Sequence, residues 1–234
     1  MTTRTATPAG SKRSWPVPAA LIALVVIPVI FGVLRLVELS GGAATMPPNP
    51  RYDASPLPVV VHIVSAIVFA TLGAFQFSAR LRRRRRGWHR RAGRIVVVAG
   101  LGVALSALWL NQFFPRAHAT RGIVYPLRVL FGVALVVTLV LGFGAARRRN
   151  FARHRVWMIR SFAIALVAGK QVFTLGFGGA IFGKGDLAQA LMISGAWGIN
   201  LAVAEWAIRR PARRRARRRR PAVRRSPERA GVLS

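Results

Sequence analysis

The sequence predicts an all-α membrane protein: six transmembrane helices, a central four-helix bundle and both termini in the cytoplasm. Three observations predict it. Of the 234 residues, 53% are hydrophobic and only 18% charged, where a soluble domain carries about 25% charged residues. The apolar residues gather into six stretches of the roughly 20 residues a helix needs to cross a bilayer. The 37 Lys+Arg, against 5 Asp+Glu, sit mostly in short runs between those stretches, as in the cytoplasmic loops of membrane proteins.

The stretches run over 18–39, 57–79, 94–114, 122–146, 156–178 and 187–208. They divide the chain into a basic cytoplasmic tail (1–17), a membrane domain (18–208) and an Arg-rich cytoplasmic tail (209–234) expected to be disordered. Each stretch is continuously apolar and not alternating, so helix is expected and barrel strand is not. The first has the flanks of a signal peptide, a basic segment before it and the small residues Gly41 to Ala44 after it. Its apolar core exceeds the roughly 7–15 residues of a signal peptide, which favours a retained helix. The second holds His62 near its outer end and then reads LGAFQF. The third follows the run Arg82 to Arg86 and His89; the fourth follows His118 and contains Pro126, a potential kink. The fifth follows His154 and contains Arg160 and Lys170; the sixth contains Glu205.

Orientation follows from where the Lys and Arg residues fall. With the N-terminus inside, the inner segments 1–17, 80–94, 147–155 and 209–234 hold 29 of the 37. The outer loops hold four: Arg51, Arg116, Arg121 and Lys184. The bias has the same sign at every loop. The preference for Arg over Lys points to a GC-rich bacterial genome, hence to the bacterial inner membrane.

A formal charge of +32 raises nucleic acid as a partner, but no aromatic residues interleave with the basic tail to stack bases. The expected partners of the basic loops are anionic lipid headgroups. Cysteine is absent, which excludes disulfides, thiol chemistry and zinc–cysteine sites. No HExxH motif occurs. Gly178 to Lys184 has the spacing of a phosphate-binding loop, yet Gly185 stands where a hydroxyl must hold magnesium, and the loop is external. Gly179 and Gly183 have a helix-packing spacing, a weak signal among membrane helices. The carboxylates are too few and scattered for paired acid–base catalysis.

The four histidines, His62, His89, His118 and His154, are each separated by about one crossing plus a short loop. His62 and His118 fall at the outer face, His89 and His154 at the inner. A bundle brings alternate helices face to face, and haem iron takes two axial ligands on opposite sides. Two haems stacked across the bilayer would form an electron path. The bland alternative is that His89 and His154 contact headgroups and that His118 is a solvated loop residue. His62 has apolar flanks and needs a polar partner.

Arg160 and Glu205 match in depth, which predicts an ion pair. Glu38 is available to Arg35, whereas Arg128 and Lys170 have no evident carboxylate. They either snorkel to the interface or meet an anionic ligand such as a haem propionate. Arg90, Arg91, Arg94, Arg153 and Arg155 flank the inner histidines and can hold propionates bidentately or lipid headgroups.

His62 with LGAFQF, HRRAGR at 89–94 and HRVWMIRS at 154–161 resemble a bacterial family of predicted multi-pass membrane proteins of unknown function. The resemblance covers roughly 57–208, and Lys170 stands where that family is expected to carry an arginine. The layout is also similar to the two-haem transmembrane cytochromes b, in which four central helices each supply one histidine. That likeness implies haem pairs His62/His118 and His89/His154, with a quinone in its reduced quinol form, or another small-molecule reductant, as donor. The competing readings are a haem-free transporter or channel for a small or anionic solute, and a membrane subunit of a partner complex. Oligomeric state is not legible.

Overall fold

A computed structural model describes residues 16–45, 55–113, 122, 124–167 and 186–219. Every regular element among them is helical: α1 (Pro16–Leu39), α2 (Pro56–Gln76), α3 (Ala79–Arg84), α4 (Arg86–Phe113), α5 (Val124–Arg147), α6 (Phe151–Ala165) and α7 (Asp186–Arg219). Five of these are long and apolar enough to cross a membrane: α1, α2, α4, α5 and the Ala190–Arg210 part of α7. The fifth predicted stretch appears as α6, whose 15 residues rise about 22 Å at 1.5 Å each. A hydrocarbon core is about 30 Å thick, so α6 alone does not cross one. Residues 168–178, which completed that stretch, lie outside the described residues.

Local chemistry sets the helix ends. Proline opens α1 and α2 at the position where a missing N–H costs nothing. Helix α1 stops at Gly41, whose φ of +90° suits glycine. Gly41 N–H bonds Glu38 O and Gly42 N–H bonds Val37 O, at 3.0 and 2.9 Å, the paired bonds of a glycine helix stop. The small residues that resemble a cleavage site therefore end a helix. Helix α5 ends by the same bonds around Arg149, at φ +56°, with Asn150 N–H on Ala145 O at 2.9 Å. Asn150 then caps α6 by accepting from Arg153 N–H at 3.1 Å. One turn thus reverses the chain between α5 and α6.

Three boundaries differ from expectation. Helix α4 begins at Arg86, not 94, because backbone hydrogen bonds carry a helix past the apolar segment into polar sequence. His89, expected just before the span, is inside the helix. His154 is likewise inside α6, and α7 continues to Arg219, into the segment read as a disordered tail.

Helices adjacent along the chain pack side by side. The main core joins Phe69 and Ala74 of α2, Val96, Ala99, Val103 and Ala104 of α4, Leu135 and Leu139 of α5, and Phe162 of α6. Phe162 lies 5.3 Å from Phe69 and meets Phe77 edge-on at 5.0 Å, centroid to centroid. Glycine makes the room: a Cβ on Gly73 would stand 2.3 Å from the Phe162 ring, and one on Gly100 2.8 Å from Phe69 and Leu139. A second cluster ties α5 to α7, with Phe131 stacked on Trp197 at 4.2 Å. Val98, Leu105 and Leu130 face outward at 70, 59 and 59% exposure. A water-facing monomer rarely carries so large an apolar exterior; lipid-facing helices do.

Candidate functional site

Two histidines occupy matching places, each in the first turns of its helix: His89 in α4 and His154 in α6. Both are half-buried. His154 Nδ1 lies 2.8 Å from the carbonyl oxygen of Gly142 on α5. A carbonyl only accepts, so Nδ1 carries a proton, and in the neutral ring Nε2 holds the lone pair. Arg82, Arg90, Arg94 and Arg155, near these histidines in sequence, are exposed. Arg155 also reaches the Ala207 carbonyl of α7 at 3.5 Å.

The expected ion pair is present. Arg160 Nε donates to Glu205 Oε1 at 2.7 Å, both side chains about a third exposed. Arg209 approaches the other carboxylate oxygen at 3.6 Å, and the Arg160 guanidinium lies 5.1 Å from the Trp157 ring centre. These contacts join α6 to α7 two turns beyond His154. A further tie runs from Asn200 Nδ2 to Ala163 O at 3.0 Å.

Toward the start of α2, His62 finds its partner in Ser106 of α4, with Nδ1 3.0 Å from Oγ. Ser106 Oγ also lies within hydrogen-bond distance of the Gly102 and Val103 carbonyls of its own helix, at 2.5 and 3.1 Å. Arg35 pairs with Glu38 at 2.6 Å. Arg128 is engaged in an interaction of its own. His118 and Lys170 lie outside the described residues.

Sequence reasoning missed three groups: Ser106, the Gly142 carbonyl and Gln76. Gln76 Nε2 is buried without a hydrogen-bond partner. Its signal was its position, a polar residue closing an apolar span inside the LGAFQF motif. Among the described residues no three His, Asp or Glu side chains gather as a metal cluster.

One family model, described as a predicted membrane protein (DUF2306), matches residues 59–208, more than half of the chain. No curated protein and no solved structure matches the chain.

Proposed function

The chain belongs to this membrane-protein family of unknown function, and from that premise we propose that it moves electrons across the bacterial inner membrane on one or two b-type haems. In this reading the chain crosses six times, with both termini in the cytoplasm. The observation that carries it is the setting of His154: its Nδ1–H is committed to the Gly142 carbonyl, which leaves Nε2 of the neutral ring available to a metal.

The residues present suit a haem. The two imidazoles could ligate the iron, and the exposed Arg82, Arg90, Arg94 and Arg155 could pair with propionate carboxylates. His89 and His154 would hold the inner haem; His62 and His118 would hold the outer one. Bound there, haem supplies a one-electron carrier. The chain's own part is orientation and electrostatics. The Gly142 carbonyl fixes the ring plane of His154, as second-shell acceptors fix metal-bound histidines. The surrounding guanidinium groups oppose added positive charge at the iron and so raise its potential. The Arg160–Glu205 pair anchors the helix that carries His154.

The test is an absorption spectrum of detergent-purified protein, produced with ample haem, before and after dithionite. A shifted Soret band, a sharp reduced α-band and one or two haems per chain are expected. A folded, colourless protein overturns the reading.

A further inference from the structure

We propose that residues 211–219 form a basic arm that docks on anionic lipid headgroups where α7 leaves the membrane, and that Pro211 is the hinge that lays it there. The proposal goes beyond the electron-transfer reading and does not depend on haem.

The part of α7 apolar enough to cross a membrane ends at Arg210, yet the helix runs on to Arg219. At 1.5 Å per residue this extension rises about 14 Å. A straight helix would carry it off the headgroups and into water. Pro211 stands at the first position past the span. Proline has no N–H, and its ring crowds the carbonyl four residues back, so helices bend there. That carbonyl belongs to Ala207. Arg155 of α6 donates to it from Nη2 at 3.5 Å, in place of the N–H that Pro211 lacks. The helix is thus tied to α6 just before the proline and free to bend after it.

Neighbouring side chains mark the headgroup level. Trp206 is 59% exposed, and the Arg210 guanidinium lies 4.6 Å from its ring centre. Tryptophan gathers where hydrocarbon meets headgroups, so the arm starts among lipid phosphates. It holds six arginines and no carboxylate. The α5–α6 turn, just before Arg155 in the chain, exposes Arg147, Arg148 and Arg149. The two segments carry the same charge, so neither neutralises the other, and an external anion must. Anionic headgroups are the nearest, and each basic residue close to them strengthens attachment about fivefold. Nucleic acid is the poorer match, because the arm has no aromatic residue to stack on a base.

The chain has no cysteine, so Ala216→Cys takes a single fluorophore on the arm. The experiment places the labelled full-length protein in lipid nanodiscs and reads quenching by a nitroxide carried on a lipid headgroup. Strong quenching is expected in discs of phosphatidylglycerol with phosphatidylcholine, and weak quenching in phosphatidylcholine alone. Arg213→Gln, Arg214→Gln and Arg215→Gln together should lower the ratio of docked to free arm on the order of a hundredfold in the anionic discs. Salt at about 1 M, where the screening length is about 3 Å, should release the arm. Pro211→Ala keeps every charge but gives the Ala207 carbonyl a backbone partner; the straightened helix should lift the label and reduce quenching. Equal quenching in the two kinds of disc, or in wild type and Pro211→Ala, overturns the proposal. Release of the arm from anionic discs by single-stranded RNA, added at a phosphate concentration equal to that of the lipid, overturns it in favour of nucleic acid. A colourless protein whose arm docks only on anionic discs and needs Pro211 supports the arm while the haem reading fails.

Discussion

His62 and His154 are held by different kinds of partner. Each presents Nδ1 to an oxygen on a neighbouring helix. For His62 that oxygen belongs to a side chain, Ser106 Oγ. For His154 it belongs to the backbone, the Gly142 carbonyl. A side-chain partner is removed by one substitution; a carbonyl is not. His62 is therefore adjustable, and His154 is held by the α5–α6 packing itself. Their surroundings differ too: exposed arginines adjoin His89 and His154 in sequence, while His62 sits between apolar neighbours in its own.

The largest expected effect breaks the inner region outright. His154→Ala or His89→Ala should remove the inner haem completely, leaving only the outer haem in a preparation that otherwise holds two, read as haem per chain by pyridine haemochrome. Full haem content in both variants would end the assignment. Next comes the packing that holds the inner region. Phe162→Ala should destabilise the protein by about 3 kcal/mol, the low end for a buried aromatic ring, measured by denaturant-induced unfolding in mixed micelles. A change under about 1 kcal/mol would mean that the Phe69–Phe77–Phe162 contacts do not organise the core.

A smaller effect is expected at the α6–α7 seam. Glu205→Gln leaves Arg160 facing lipid without its carboxylate. A fully buried broken pair costs about 3–5 kcal/mol, and exposed pairs are worth less than about 1. With both side chains about a third exposed, on the order of 1–2 kcal/mol is expected, and Arg160→Gln in the same background should recover part of it. No recovery would indicate that Glu205 acts independently of Arg160. The smallest effect sharpens the comparison. Ser106→Ala should cost about 1 kcal/mol, one hydrogen bond, and shift only the outer haem in a redox titration. A shift of the inner haem would show that the two regions are coupled.

Much of this was readable from residues alone. The apolar stretches mark the spans because a bilayer demands some 20 apolar residues of any helix. The Arg160–Glu205 pair was readable because depth in a membrane follows from counting residues along a helix. The start of α4 was not, because hydropathy reports the hydrocarbon boundary, whereas a helix ends where its backbone bonds end. Ser106 was hidden for another reason: it lies 44 residues from His62, and their meeting depends on how two helices are rotated about their axes.

The sequence by itself determined that the chain is helical and membrane-bound, and how its charges are spaced along the apolar stretches, since these follow from composition and the rise per residue. Only the tertiary structure decided which nitrogen of His62 and His154 is engaged, that Gly73 and Gly100 admit the rings of Phe162 and Phe69, and that Gln76 Nε2 is buried without a partner. Each of those depends on the rotation and close approach of neighbouring helices, which the packing of side chains sets and no count along one chain contains.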